Sequence, residues 1–336
     1  MTNSSNTKLV DSWNREIDYL RIAVTDRCNL RCFYCMPAEG IDYLPKKELL
    51  SYEEIIRLAT VFASLGVKKI RLTGGEPFLR KDFISLLRNL KRISGIEAVH
   101  ITTNGVLTAP YLNQMKDIGV DGVNLSLDSL NRENFHKITR RNEFDTVMET
   151  LDGLTHHGFN TKINMVVMHG KNTHEVIGMA QLASDREISV RFIEEMPFNG
   201  SNMSTSQKNW SHMRILEELK GAFPSLKKLN SDPSNPASLY QVEGHVGNLG
   251  IIPAYSRTFC GACNRIRLTA TGTIKNCLYD EGVLDIKALM RSNATDDQLR
   301  EMLMETVQKR EKDGFAAERN RKVDKNISES MSSIGG

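Results

Sequence analysis

The sequence has 336 residues, of which 40% are hydrophobic and 25% charged, a balance typical of globular proteins. Its net charge of +3 is too small to indicate a nucleic-acid partner by itself. No stretch approaches eighteen uninterrupted apolar residues, and the first ten residues lack the apolar core of a signal peptide. The sequence therefore predicts no membrane span, no secretory signal and a cytoplasmic location, where its six cysteines serve as thiols or metal ligands.

Short apolar runs alternate with amphipathic helical segments over the first 195 residues. The predicted strands are 19–25, 69–73, 98–103, 122–127, 161–168 and 188–193. The predicted helices are 52–65, 82–93, 109–118, 143–157 and 173–184, the first of them opened by a capping box of Ser51 and Glu54. This alternation predicts an α/β fold with a parallel sheet that closes fully or partly into a barrel. Functional residues are then expected in the loops that follow the strands.

Three cysteines, Cys28, Cys32 and Cys35, follow the first strand directly. Three thiolates can ligate three corners of a cubic iron–sulfur cluster and leave its fourth iron open, whereas structural zinc normally takes four ligands. The spacing favours a cluster and leaves zinc as the alternative. Further motifs follow the second, third and fourth strands, at 74–77, 103–105 and 127–129.

The βα alternation stops after about residue 195. Polar, loop-like segments at 199–211 and 231–238 lead into strand candidates at 239–252 and 264–275. Two helices are predicted near 284–291 and 295–312, and the last twenty residues are too polar to predict a packed fold. The predicted organisation is an N-terminal extension over 1–14, a barrel over 15–200, a C-terminal region over 201–315 and a tail over 316–336.

A second cysteine group, Cys260, Cys263 and Cys277, lies in the C-terminal region. A zinc site completed by His245 is one interpretation, and a second cluster with an open iron is the other. Arg265 and Arg267 alternate with apolar residues and so share one face of a strand beside these cysteines. Two guanidinium groups there favour phosphate recognition, although a solvated strand face is the simpler explanation.

Other basic residues lie on the barrel strands themselves. Arg21, Arg71, Lys162 and Arg191 interrupt strands that should be apolar on both faces under a cover of helices. This pattern predicts a polar-lined cavity for a large anionic substrate, with internal ion pairs as the alternative.

CxxxCxxC after the first strand, followed by GlyGlyGluPro at 74–77, resembles the radical S-adenosylmethionine (SAM) superfamily. The segments 20–28, 102–105, 124–128 and 191–194, the second cysteine group with ArgIleArg, and the terminal Gly335-Gly336 resemble the GTP 3′,8-cyclase family. The resemblance spans about residues 15–315 and the extreme C-terminus. It implies a partial (incomplete) TIM-type barrel of about six βα units, with a C-terminal extension that carries a second cluster.

The implied activity converts GTP to (8S)-3′,8-cyclo-7,8-dihydroguanosine 5′-triphosphate, the first step of molybdenum cofactor biosynthesis. The implied cofactors are SAM and two [4Fe-4S] clusters, held by Cys28, Cys32 and Cys35 and by Cys260, Cys263 and Cys277. The implied SAM contacts are Tyr34, Gly74, Gly75, Glu76, Ser126 and Met196. The implied GTP contacts are Arg21, Arg71, Thr102, Lys162, Arg191, Arg265, Arg267, Gly335 and Gly336. Arg265 and Arg267 and the first three cysteines are expected to be catalytic.

In such an enzyme a 5′-deoxyadenosyl radical takes hydrogen from ribose C3′, and the sugar radical then attacks guanine C8. The family further implies a homodimer, an electron donor and hand-off of an unstable product to cyclic pyranopterin monophosphate synthase. No nucleic-acid or membrane partner is expected. A radical SAM enzyme that modifies a peptide is an alternative, and a zinc-containing nucleic-acid module is another, although the pI of about 8.4 is low for it.

Overall fold

The computed structural model describes residues 8–196, 210–320 and 334. Within these ranges twelve strands form one sheet in the order β12-β11-β10-β1-β2-β3-β4-β5-β6-β9-β8-β7. The strands are β1 Tyr19–Ala23, β2 Lys69–Thr73, β3 Ala98–Thr103, β4 Gly122–Ser126, β5 Thr161–Val167, β6 Ile188–Glu194, β7 Lys227–Lys228, β8 Ser238–Gln241, β9 Asn248–Ile252, β10 Arg265–Leu268, β11 Thr273–Lys275 and β12 Leu284–Asp285.

Ten α-helices accompany the strands in the described part of the chain. They are α1 Tyr52–Ser64, α2 Phe83–Lys91, α3 Leu112–Ile118, α4 Arg132–Thr139, α5 Phe144–His156, α6 Val176–Gln181, α7 His212–Ala222, α8 Ile286–Arg291, α9 Asp296–Gln308 and α10 Gly314–Arg319. Short 3-10 turns precede α3 and α6. The helices contribute their apolar faces to two buried clusters, one over β1–β3 and one over β4–β6.

Strands β1 to β6 are parallel and adjacent in chain order, as the βα alternation predicts. The capping box of Ser51 and Glu54 is present at the start of α1. The six predicted barrel strands agree with the structure to within two residues at each end. The fold prediction of an incomplete α/β barrel with a C-terminal extension is therefore confirmed.

The C-terminal strands extend the barrel sheet at both flanks. Strand β10 pairs in parallel with β1, and β9 pairs in parallel with β6. The sheet curls so that its two flanks approach each other. Arg265 Nη2 on β10 donates to the Ser234 carbonyl, in the segment before β8, at 3.2 Å and so joins the flanks. The first cysteine group therefore follows β1, and the second flanks β10 and β11, which extend the same sheet beside β1.

The sequence analysis did not predict three of the helices, α4, α7 and α10. Helix α4 buries only Phe135, Ile138 and Thr139, so its apolar stripe is too narrow to stand out in a polar segment. Helix α10 crosses the predicted start of the tail at 316, and Ile334 further along is buried. The rest of the tail and most of the loop-like segment 199–211 lie outside the described residues. The predicted domain boundaries stay a prediction.

Candidate functional site

The loops after β1 and β2 meet backbone to backbone beside the first cysteine group. The amide of Gly75 donates to the Thr25 carbonyl at 2.8 Å, and the amide of Glu76 donates to the Arg27 carbonyl at 2.7 Å. A Cβ atom on Gly75 would lie 2.0 Å from the Arg27 carbonyl oxygen, and one on Gly74 would lie 2.3 Å from that of Thr25. Only glycine permits this approach, which explains the two glycines of the 74–77 motif.

The loop with the first three cysteines is held by its own arginine and by a neighbouring tyrosine. Arg31 Nη1 donates to the carbonyl of Cys28 at 2.7 Å, and the Tyr43 hydroxyl donates to the same carbonyl at 3.1 Å. The amide of Cys35 donates to the carbonyl of Cys32 at 2.9 Å, which folds the loop into a turn. These bonds leave all three side chains on the wall of one large cavity.

The first cysteines are suited to metal binding rather than to free thiolate chemistry. Burial raises the pKa of Cys28 to about 12, with Glu76 adding to the effect. Burial likewise raises the pKa of Cys32, and the nearby Asp128 and Cys35 add to it. Because a metal supplies the positive charge that a thiolate needs, ligation reverses this unfavourable balance.

The cavity encloses about 640 Å³ on the inner side of the sheet. It brings together most of the residues singled out in the sequence, from strands far apart in the chain. Its wall includes Arg21, Cys28, Cys32, Tyr34, Cys35, Arg71, Gly74, Gly75, Thr102, Ser126, Arg191, Met196, Arg265 and Arg267. Gly335 and Gly336 lie outside the described residues.

Two expected contacts, Glu76 and Lys162, are not part of this wall. The carboxylate of Glu76 is fully buried and accepts hydrogen bonds from Thr103 Oγ1 at 2.9 Å and from the amide of Asn104 at 2.8 Å, in the loop after β3. Burial raises the pKa of Glu76 to about 7. The ammonium group of Lys162 donates to Oδ1 of Asn160, two residues earlier in the chain, at 3.1 Å.

Three adjacent strands form a basic array at the other end of the cavity. The parallel register aligns Arg267 of β10, Arg21 of β1 and Arg71 of β2 in one row. It aligns Arg265, Tyr19 and Lys69 in a second row, two residues earlier on each strand. Because side chains alternate across a strand, both rows face the cavity.

The cations of this array and of the neighbouring strands β5 and β6 are crowded and partly stripped of water. Burial lowers the pKa of Arg21, and Arg267 adds to the effect. Burial lowers the pKa of Arg191 to about 10, with Arg71 as a further cause. Burial and then Arg191 lower the pKa of Lys162 to about 7. Desolvated cations in such numbers favour a polyanionic ligand that restores charge balance.

Tyr19 and Lys69 are functional candidates that the sequence reasoning missed. Arg71 Nε donates to the Tyr19 hydroxyl at 2.5 Å, and Lys69 Nζ lies 4.9 Å from the centre of the Tyr19 ring. Burial opposes ionisation of Tyr19, but Arg71, Arg21 and Lys69 outweigh it and lower its pKa to about 7. The available signal was their position two residues before Arg21 and Arg71, on the same strand faces.

The residues expected around SAM form a second polar group, at the cysteine end of the cavity. The Tyr34 hydroxyl donates to Asp128 Oδ2 at 2.7 Å, and the amide of Val166 donates to Asp128 Oδ1 at 2.8 Å. Burial raises the pKa of Asp128 to about 6. Met196 lies across the cavity, and its sulfur accepts from the Tyr279 hydroxyl at 3.0 Å.

The second cysteine group lies directly behind the cavity wall. Cys260, Cys263 and Cys277 are not on the wall, but their neighbours Phe259, Asn264 and Leu278 are. Burial tends to raise the pKa of Cys263, but Arg265 and Arg310 outweigh it and lower that pKa to about 7. His245, the suggested fourth zinc ligand, packs edge-on against Phe223 with 5.4 Å between ring centres.

An unpredicted clamp joins the N-terminal segment to this second group. Arg310 Nη2 donates to the sulfur of Cys263 at 3.1 Å. Arg15 Nη1 donates to the carbonyl of Cys260 at 3.1 Å, and its Nε pairs with Asp11 Oδ2 at 2.6 Å. Asp11 also lies 3.8 Å from Arg310 Nη1. Asp11 of the predicted extension and Arg15 directly after it thus support the second group.

The donor sets of the two groups fit iron–sulfur clusters. All six cysteines are free thiols, and each group offers three soft sulfur donors. Among the described residues no three His, Cys, Asp or Glu side chains are arranged to hold a single metal ion. The cavity beside the first group leaves room for a ligand at an open iron.

Two family models match consecutive parts of the chain. The Radical SAM superfamily model matches residues 22–183. The Molybdenum Cofactor Synthesis C model matches residues 188–316, which include β6 and the second cysteine group.

Curated relatives match over most of the chain. GTP 3′,8-cyclase from Thermodesulfovibrio yellowstonii is 42% identical over 299 residues, or 88% of this chain and 92% of that protein. The mitochondrial GTP 3′,8-cyclase of Arabidopsis thaliana is 41% identical over 303 residues, or 90% and 77% of the two chains. Molybdenum cofactor biosynthesis protein 1 of Homo sapiens is 40% identical over 292 residues, and this chain spans 46% of it.

Solved structures share the fold. Streptococcus suis SuiB superposes with a TM-score of 0.58 and 15% sequence identity, over 88% of this chain and 67% of that one. The likeness at this identity concerns the fold alone. No helix in the described residues has the length and apolar character needed to cross a membrane.

Proposed function

This chain belongs to the GTP 3′,8-cyclase family of radical SAM enzymes, and from that premise we infer that it converts GTP to (8S)-3′,8-cyclo-7,8-dihydroguanosine 5′-triphosphate. This reaction is the first step of molybdenum cofactor biosynthesis. One observation carries the inference: a single cavity of about 640 Å³ joins the first cysteine group at one end to two rows of basic side chains at the other.

The cysteine end accommodates the radical source. Cys28, Cys32 and Cys35 would hold a [4Fe-4S] cluster, with SAM bound against Gly75, Ser126 and Tyr34, all on the wall. When bound, these groups supply a 5′-deoxyadenosyl radical that can take a hydrogen atom from the substrate. Asp128 orients Tyr34 through their 2.7 Å hydrogen bond, and so fixes one side of the SAM pocket.

The basic end accommodates the triphosphate. Guanidinium groups match phosphate oxygens in pairs, and the two rows offer a binding surface that spans three strands. Arg71 Nη1 also donates to the Thr102 hydroxyl at 3.4 Å, so the basic array is hydrogen-bonded to a residue nearer the middle of the cavity. Because the triphosphate and the radical source lie at opposite ends, the ribose would lie between them, next to both.

The second cysteine group would hold the guanine end of the substrate. Its three cysteines lie directly behind Phe259, Asn264 and Leu278, which are on the cavity wall. Holding base and phosphates at once fixes the orientation of ribose C3′ toward guanine C8, and an intramolecular attack needs that orientation. Bound SAM and GTP would fill the cavity and so limit water around the reacting groups.

Several finer assignments belong to this proposal. We place Lys162, Arg191 and the terminal Gly335 and Gly336 among the GTP contacts, and Glu76 and Met196 among the SAM contacts. The enzyme is further proposed to act as a homodimer in the cytoplasm, to draw electrons from a separate donor, and to pass its product to cyclic pyranopterin monophosphate synthase.

The deciding experiment is an anaerobic assay of the reconstituted protein with SAM, dithionite and GTP. We expect 5′-deoxyadenosine to form in proportion to cyclised GTP, with about eight irons per chain from two cubic clusters. Iron and sulfide without GTP-dependent 5′-deoxyadenosine would point to another radical SAM substrate, such as a peptide. Bound zinc without sulfide would refute the proposal.

A further inference from the structure

A second cavity, of about 480 Å³, lies on the outer side of the loop that carries the first cysteine group. Cys32, Tyr34 and Cys35 line the inner cavity, whereas Phe33 between them lines this outer cleft. The amide of Phe33 donates to the carbonyl of Ile138 at 3.1 Å, which ties the loop to the end of α4. One stretch of backbone therefore separates the first cysteine group from the molecular surface.

The outer cleft is cationic. Lys137 and Lys171 line it and are exposed, and Lys171 Nζ lies 5.6 Å from the centre of the Phe33 ring. Arg140, just beyond α4, donates to the carbonyls of Arg31 and Met36 on the cysteine loop at 3.2 Å each. Within the described ranges, neither lysine nor Arg140 forms an ion pair with a carboxylate.

Two acidic residues of these segments, Glu175 and Glu133, form no ion pair with either lysine in the described part of the chain. Glu175 follows the cleft residue His174, but its side chain is only 10% exposed. It accepts hydrogen bonds from Ser129 Oγ at 2.7 Å, from the amide of Leu130 at 2.6 Å and from Asn134 Nδ2 at 2.5 Å, and so is engaged by neutral donors rather than by either lysine. Glu133, four residues before Lys137 on α4, is exposed and forms no ion pair within the described ranges. The cleft therefore presents unpaired lysines around an aromatic ring.

The proposed function requires an electron from outside the protein. The cluster that the first cysteine group would hold would pass this electron to SAM, whose C5′–S bond would break to give methionine and the 5′-deoxyadenosyl radical. The inner cavity is filled by SAM and GTP at that point, so a protein donor cannot approach through it. The backbone of 32–35, with Phe33 on the outer cleft and Cys32 and Cys35 on the inner cavity, offers a route from the surface instead.

We propose that the outer cleft is the docking surface for a small acidic one-electron carrier protein. This inference rests on the proposed function. Carboxylates of the carrier would pair with Lys137 and Lys171, and its redox group would lie over Phe33. Complementary charge of this kind mainly accelerates association and makes it sensitive to salt.

The test compares two reductants on the reconstituted holoenzyme carrying Lys137→Glu and Lys171→Glu together. With an acidic flavodoxin hydroquinone as donor, we expect the flavodoxin concentration for half-maximal turnover to rise about ten-fold or more, because attraction becomes repulsion. With dithionite as donor, turnover should match the wild type. The wild-type rate with flavodoxin should also fall as sodium chloride is raised.

Lys227→Glu with Lys228→Glu is the matched control, since both lysines are exposed on β7 at the far edge of the sheet. It should leave both assays unchanged. Equal flavodoxin dependence in the wild type and the cleft variant would overturn the docking proposal, and so would a changed oligomeric state of the cleft variant, which would make the cleft an interface between copies. Failure of the wild type to cyclise GTP with dithionite would instead overturn the proposed function.

Discussion

Arg310 donates from Nη2 to the sulfur of Cys263 at 3.1 Å, although forty-seven residues separate them in the chain. The buried carboxylate of Asp11 lies 3.8 Å from the same guanidinium group and holds it in place. The second cysteine group therefore has a fixed positive charge and a hydrogen-bond donor beside it. Both features stabilise electron density on the sulfur.

Replacement of Arg310 by Met should lower the reduction potential of the second cluster, because a cation and a hydrogen bond to sulfur are both lost. Arg310→Lys should preserve part of the effect through its charge. The measurement is a redox titration of the holoenzyme followed by electron paramagnetic resonance. Arg319→Met, at an exposed position on α10, is the control. An unchanged potential in Arg310→Met would contradict the assignment.

Affinity for GTP should depend on the ionisation of Tyr19. Its pKa of about 7 means that the phenolate forms as pH rises above 7 and removes one net positive charge from the array. GTP binding to the wild type should therefore weaken between pH 7 and 8.5, by at most about ten-fold per pH unit for one linked proton. Lys162, also with a pKa of about 7, loses its charge over the same range and adds to the decline.

The Tyr19→Phe variant isolates the contribution of the phenol. Its GTP affinity should fall less steeply with pH, and the further change Lys162→Met should leave it nearly flat. Equilibrium binding of GTP to the holoenzyme at several pH values without SAM gives both slopes. The same slope in the wild type and Tyr19→Phe would show that the phenol does not ionise in the cavity.

Two neighbouring lysines at the start of β2, Lys68 just before the strand and Lys69 as its first residue, should differ sharply in their importance. Lys69 faces the cavity, whereas Lys68 is 54% exposed and pairs with Glu97 outside it. Lys69→Met should raise the KM for GTP about ten-fold or more, the usual magnitude for loss of a charge-assisted hydrogen bond. Lys68→Met should change it little. Steady-state kinetics compare the pair, and similar KM values would refute the two-row array.

Gly75→Ala should disrupt the first cysteine loop. A Cβ atom there would lie 2.0 Å from the Arg27 carbonyl oxygen, so the loops after β1 and β2 must separate. Iron content should fall by about four per chain, equal to one cubic cluster. Gly178→Ala on α6 is the control, because a Cβ atom there would have no neighbour within 4 Å. This variant should raise the stability of the helix by up to about 1 kcal/mol. Full iron loading of Gly75→Ala would disprove the steric argument.

Deletion of Gly335 and Gly336 should abolish cyclisation and spare both clusters. The two residues lie outside the described ranges, but Ile334 before them is buried, and its carbonyl accepts from Arg267 Nη1 at 3.5 Å. Arg267 belongs to the basic array, so the end of the chain is tied to the substrate site. Iron analysis and the GTP assay separate the two outcomes. Full turnover by the truncated protein would contradict a role for the terminal glycines.

Local patterns in the sequence were sufficient for the barrel strands and for the first cysteine loop. The six strand segments and the Ser51 capping box were predictable because they depend on patterns of apolar and capping residues within about fifteen residues of each other. The regular repeat of strand and helix backbones fixes the spacing of such patterns. The glycines at 74 and 75 were recognised from their resemblance to a superfamily motif, and the structure gives their physical reason, a close backbone contact that admits no side chain. Parallel βα units then place successive loops on one edge.

Contacts between distant segments could be decided only by the tertiary structure. Strand β10 pairs with β1 across more than two hundred residues, and this pairing converts separate arginines into two rows. The same long-range packing turns Glu76 toward Thr103, brings Arg310 to Cys263 and places Phe33 on an outer cleft. Sequence periodicity tells which face of a strand a residue occupies, but the neighbour on that face depends on how the whole sheet pairs. The chemistry of the cysteines could therefore be predicted from the sequence, whereas the residues packed around them could not.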